Sequence, residues 1–160
     1  MLTLVVQIAY GGLVAGLKAG HVSNTWPLMF GYLIPPGLLG IVEPWWRNLF
    51  EAATTVHFMH RWFAFVVLSA ALAVWGQTRG QSGRDLYTGV VLLVVLALLQ
   101  ILLGISVVLF GVPLWLALLH QTNALLLFID GVYVVHRLRA ACRQSGAAAT
   151  RLQGAQAATP

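Results

Sequence analysis

Charge is what this chain has least of. Four acidic and nine basic residues among 160 leave it 8% charged, where a soluble domain carries about 25%. That scarcity excludes an ordinary soluble globule. Cysteine is nearly absent too: Cys142 stands alone, so it has no internal disulfide and no Cys-x-x-Cys partner, and it takes no redox role. A basic segment after Met1 is also missing, and the first apolar run ends without a cleavage-like site, so an isolated secretory signal is not expected. What is present is hydrocarbon. The chain is 59% hydrophobic, its mean hydropathy is +0.85, and its length suits one domain. These values describe an all-α integral membrane protein. Four stretches are long enough to span, at about residues 2–19, 53–75, 86–110 and 113–135.

The net charge of +5 resembles a nucleic-acid footprint until the charges are placed. Arg79, Arg84, Arg137, Arg139, Arg143 and Arg151 account for six of the nine basic residues and fall on one side. The positive-inside rule makes that side cytoplasmic, which puts both termini inside, as in a bacterial-type inner (plasma) membrane. The partner this implies is membrane lipid and not nucleic acid. Lys18 and Arg47 lie on the opposite side, with Arg61 just inside the membrane.

Connections between the spans predict a four-transmembrane-helix bundle with up-down connectivity. The short polar loop 77–85 makes spans two and three antiparallel neighbours, and Pro113 starts the fourth after a tight turn. Gly12, Gly16 and Gly20 share one face of the first span, a spacing expected to pack against another helix in the bundle. The loop 20–52 holds Trp26, Tyr32, Trp45 and Trp46 with Pro27, Pro35, Pro36 and Pro44. A loop this long and apolar is expected to lie down over the outer end of the bundle and restrict water there. Residues 1–138 form the membrane domain in this reading. Residues 139–160, rich in Ala, Gln, Gly and Thr, form a disordered cytoplasmic tail.

Two histidines carry the chemistry. His60 lies six residues beyond Thr54, and His120 seven beyond Pro113. At 1.5 Å rise per residue, both rings lie roughly 9–10 Å inside their helices. Ionisable groups at that depth are costly and mark functional sites. Two imidazoles at one depth, on helices two and four, point to a haem clamped from both sides. The metal ligands in that reading are His60 and His120.

Neighbouring residues leave alternatives open. Arg61 needs a carboxylate or comparable partner, which a haem propionate provides; snorkelling to headgroups or pairing with Glu51 is the rival. His57 shares a face with His60. It belongs either to an i, i+3 copper or zinc pair, to a proton-handling group above the haem, or to no site. His21 and His136 read as incidental boundary residues, and Asp130 as one half of a structural ion pair with the basic cluster. Gln121 and Asn123, and likewise Gln100 in span three, read as amides that either orient a ring by hydrogen bonding or join helices, a signal no stronger than packing.

Seven segments occur in an order that resembles the C-terminal half of the haem A synthase family. They are Val14-Ala-Gly-Leu-Lys-Ala-Gly20, Asn24-Thr-Trp-Pro-Leu-Met29, Ile34-Pro35, Arg47-Asn-Leu-Phe-Glu51, His60-Arg61, Leu99-Gln-Ile-Leu-Leu-Gly-Ile105 and His120-Gln121. The resemblance covers about residues 7–138. It implies eight transmembrane helices in two similar halves and oxidation of a haem O methyl group to the formyl group of haem A. It further implies that His60 and His120 are the axial ligands of an electron-transferring haem b, while the other half holds the substrate haem.

The resemblance also implies partners: the N-terminal half or a second copy of this chain, and haem O synthase. A fragment or split product is the first expectation, a dimerising half-length protein the second. Where members usually carry Gln, this chain has His57. With Glu51 near the outer surface, His57 is a candidate for a catalytic or tuning role. The alternative functions are a non-catalytic cytochrome b-like subunit of a respiratory complex and a permease component with proton-relaying histidines.

Overall fold

A computed structural model describes residues 1–80 and 83–157, and side chains as far as Arg143. Five α-helices account for most of it: α1 (Leu2–Gly16), α2 (Asn48–Glu51), α3 (Ala53–Thr78), α4 (Arg84–Leu109) and α5 (Leu114–Ala157). Among the described residues there is no β-strand, only an isolated bridge between Met29 and Tyr32.

Three helices are long and apolar enough to cross a membrane: Ala53–Thr78, Arg84–Leu109 and the Leu114–Arg143 part of α5. Their outward faces carry Phe65, Val66, Leu92, Leu102, Leu118 and Leu125, all exposed. A soluble protein does not leave such continuous apolar surface uncovered, and lipid covers it without cost. The chain is an integral membrane protein.

The first helix is shorter than its sequence suggests. It has 15 residues, about 22 Å of rise, against the ~20 residues a full span needs. Lys18 ends it by turning left-handed at φ 50°, and Ala19–His21 continue as a single 3-10 turn. The expected span 2–19 therefore stops a turn early.

At the other end, α5 runs without interruption past residue 138 to Ala157, where a disordered tail was expected. Ala140, Ala141 and Ala147–Ala149 belong to this extension. Alanine has the highest helix propensity, and a run without apolar periodicity can still prolong a helix already nucleated in the membrane.

The helices pack in chain order: α1 on α3, α3 on α4, α4 on α5. Leu4, Ala97 and Leu127 form one core cluster with Val67, Leu68 and Leu93. Leu86, Val90 and Val134 form a second with Val74, Trp75 and Leu138. An apolar cavity of about 90 Å³ beside the first cluster is lined by Leu4, Val67, Ala71 and Leu127 among others. It is far below the roughly 300 Å³ at which ligand pockets begin.

The expected glycine stripe divides. A Cβ at Gly12 or Gly16 would meet nothing within 4 Å, whereas one at Gly20 would come within 3.2 Å of Val112 in the α4–α5 turn. Gly12 and Gly16 thus do not pack inside this chain, because the neighbouring position Gly11 faces the bundle instead.

The loop 17–52 lies against the N-terminal end of α3, as its composition suggests. Asn48, fully buried, ties it together. Its Nδ2 donates to the carbonyls of Leu39, Val42 and Trp45, and its Oδ1 accepts from the backbone of Ile41 and Val42. Thr55 on α3 donates to the carbonyl of Leu38. Trp26 packs on Trp62 and Phe65. At the opposite end of the bundle Arg137 pairs with Asp85 at 3.0 Å. That is the ion pair expected of Asp130. Asp130 is buried instead, forms no ion pair among the described residues and leaves Oδ2 without a partner. It sits within the helix rather than at its basic end, so the arginine reaches the exposed Asp85.

Candidate functional site

The structure brings His60 and His120 together. Their ring centroids lie 6.4 Å apart, with the planes inclined at 75°. An imidazole nitrogen binds a metal at about 2.0–2.1 Å, so two rings on opposite sides of one metal have centroids roughly 6 Å apart. The spacing fits a single ion between them.

Each ring is seated on a glycine of another helix. A Cβ at Gly11 of α1 would stand 3.2 Å from His60 Cε1, and one at Gly104 of α4 would stand 3.1 Å from His120 Cε1. Any larger residue would push its ring. Both Nδ1 atoms are buried and without hydrogen-bond partners. These glycines were not singled out in the sequence. The signal for them was present: Gln7-Ile-Ala-Tyr-Gly11 and Gln100-Ile-Leu-Leu-Gly104 share a Gln-Ile-x-x-Gly pattern, once on α1 and once on α4.

The two glutamines reach the same histidines differently. Gln7 Nε2 donates to the main-chain carbonyl of His60 at 3.0 Å, while its Oε1 is buried without a partner. Gln100 Nε2 lies 3.1 Å from His120 Nε2. Asn123 Nδ2 donates to Gln100 Oε1 at 2.7 Å and to the carbonyl of Leu96 at 3.0 Å. Of the two readings of these amides, Gln100 contacts the His120 ring and Asn123 contacts Gln100. Gln121 has no such contact and is exposed.

Arg61 reaches across to the loop. Its guanidinium donates to the carbonyls of Thr25 and Ser23, both at 2.9 Å, and its Nε donates to His57 Nε2 at 3.0 Å. It also lies over the Trp26 ring at 5.7 Å. Its compensation is loop carbonyls, and the alternative of pairing with Glu51 is overturned, because Glu51 pairs with Arg47 in a two-pronged contact at 2.6 and 2.9 Å. Arg47, by hydrogen bonding, holds the Glu51 carboxyl below its ordinary range. That pair is exposed on α2, and no contact joins Glu51 to the histidines.

His57 is 2% exposed and sits beneath the loop as the acceptor for Arg61, with Nδ1 unpartnered. The reading of His57 and His60 as part of a copper or zinc site finds no further ligands: no group of three or more His, Cys, Asp or Glu that could hold a metal ion occurs among the described residues. His57 and Arg61 thus form a clasp between loop and helix, and the paired histidines form a site beneath it.

Comparison with known proteins gives the chain's kinship. Residues 1–131 match the sequence model of the COX15-CtaA family, described as cytochrome oxidase assembly protein. The chain is 47% identical over 133 residues to a protein of Brucella anthropi named "Heme A synthase", covering 81% of this chain and 36% of that protein. A Nitrosospira multiformis protein of the same name is 45% identical over 136 residues, covering 84% of this chain and 38% of its own length. One from Bradyrhizobium is 47% identical over 137 residues, covering 83% and 37%. The chain therefore spans little more than a third of the length of these relatives. No solved structure matches it. With a family match over residues 1–131 and relatives near 45% identity, the chain belongs to the COX15-CtaA family of cytochrome oxidase assembly proteins.

Proposed function

We propose that this chain is the electron-transferring, haem b-binding part of a haem A synthase, the enzyme that oxidises the haem O methyl group to the formyl group of haem A. The observation that carries the reading is the paired-histidine site: two rings 6.4 Å apart, each seated on a glycine of another helix. Kinship with proteins named "Heme A synthase" over four-fifths of the chain supports it.

The residues present fit a haem. His60 of α3 and His120 of α5 would hold the iron from opposite sides, and the glycine seats leave both rings free of contacts that would force them aside. When bound, the haem would supply a one-electron centre suited to passing electrons. The protein's own contribution is binding and exclusion. Arg61 and His57 fasten residues 23–25 over the N-terminal end of α3. A closed outer end keeps water from the rings and lowers the local dielectric. Glu51 lies exposed and paired with Arg47. Substrate oxidation belongs to another four-helix half, supplied by a longer chain, a separate polypeptide or a second copy of this one.

In the membrane, α1 completes the bundle as its fourth helix. The bundle lies in a bacterial-type inner membrane with both termini on the cytoplasmic side, where six arginines lie. Extraction and chromatography of the pigment in the purified chain tests the assignment. About one non-covalent haem b per chain is expected. Haem O or haem A in its place would make this the substrate-binding half, and no haem after expression with ample haem supply would remove the reading.

A further inference from the structure

The polarity of three side chains around His120 is fixed by a single main-chain atom. The carbonyl of Leu96 can only accept, so the Asn123 group 3.0 Å from it is the amide nitrogen. The same nitrogen donates its second hydrogen to Gln100, 2.7 Å away, which must therefore present Oε1. That leaves the Gln100 nitrogen facing His120 Nε2 at 3.1 Å. An amide nitrogen has hydrogens and no lone pair to offer, so it donates and His120 Nε2 accepts. The imidazole proton is thereby placed on Nδ1, which lies over Gly104, where a Cβ would be 3.6 Å away.

We propose that Gln100 and Asn123 are positioning residues for His120. They hold its ring as the Nδ1-protonated tautomer, with the Nε2 lone pair accepting the Gln100 amide hydrogen. If His120 binds iron through Nε2, the Gln100 amide would give up its contact with that nitrogen. The use of that lone pair as a haem ligand rests on the reading proposed above; the tautomer does not. Which nitrogen of a ligating histidine meets its metal is ordinarily set by the hydrogen bond at the other nitrogen. Here it is set at Nε2, by an amide whose orientation Asn123 and the Leu96 carbonyl fix.

The pairing has no equal on the other side of the site. Gln7, in the matching place on α1, donates to the main-chain carbonyl of His60 and not to its ring. The two rings are thus held differently: His120 meets a side-chain relay, and the Gln7 side chain meets the His60 main chain instead.

The test is the 15N spectrum of histidine-labelled, haem-free protein in detergent, with His120 assigned by its loss in His120→Gln. The expected result is one protonated, pyrrole-type nitrogen at δ1 and one bare, pyridine-type nitrogen at ε2. Gln100→Leu, close in size but unable to donate, should convert His120 to a mixture of tautomers. Asn123→Leu, which frees the Gln100 amide to rotate, should do the same to a smaller degree. A proton on Nε2 in the wild type overturns the proposal without recourse to any variant, as does an unchanged tautomer in both variants. Haem titration of the same samples keeps the two readings apart. A wild type with the Nδ1 proton that takes up no haem retains the relay and removes the haem assignment.

Discussion

A methyl group added at Gly104 would stand 3.1 Å from the His120 ring, and Gln100 holds the Nε2 of that ring. The ring has little freedom to yield, so Gly104→Ala should act as an overpacking change costing about 1–3 kcal/mol. It should lower haem retention while leaving the chain inserted. Gly12→Ala is the natural control. Nothing lies within 4 Å of its Cβ, and alanine in place of a mid-helix glycine is worth about 0.5–1 kcal/mol in favour of the helix. Thermal unfolding and haem content of the two variants should therefore move in opposite directions.

Arg61 gives a second residue-scale expectation. Arg61→Leu leaves the buried carbonyl of Ser23 without a donor, at about 1–3 kcal/mol, and removes the donor to the Thr25 carbonyl as well. Protease cleavage in the loop should then accelerate at least tenfold, and an unchanged rate would mean the clasp does not hold the loop. The paired histidines were legible in the sequence because burying an imidazole in lipid is costly without a purpose. Their glycine seats were legible only as the repeated Gln-Ile-x-x-Gly pattern, whose Gly11, rather than the adjacent Gly12, the rotation of α1 brings to His60.

Among the elements, the loop 17–52 depends most on one buried side chain. Asn48 makes five hydrogen bonds to loop backbone, each worth about 1 kcal/mol net. Asn48→Ala should destabilise the loop by about 3–5 kcal/mol, seen as faster hydrogen exchange across residues 38–48 with the exchange of α4 unaffected. Equal acceleration in α4 would show instead that the loop and bundle open as one unit. Apolar periodicity located α3 and α4 to within three residues, since both are spans bounded by polar turns. It overran α1, because hydropathy continues through Leu17 and Ala19 while the backbone reverses at Lys18. It stopped short on α5, since a pattern search for apolar faces has no purchase on an alanine-rich extension.

At the scale of the whole molecule, a ring of exposed apolar helix faces surrounds a bundle whose charges collect at its ends. The lone cysteine makes the proposed orientation measurable. Cys142 is exposed and free, on the basic side of α5. A membrane-impermeant maleimide should label it in inverted vesicles and spare it in intact spheroplasts; the opposite pattern would reverse the topology. The central claim is that His60 and His120 together ligate one haem. Its most direct test is the reduced-minus-oxidised visible spectrum of the purified wild type beside His60→Ala and His120→Ala. The account predicts a low-spin b-type signal in the wild type that disappears in both variants. A signal that survives either substitution would contradict it.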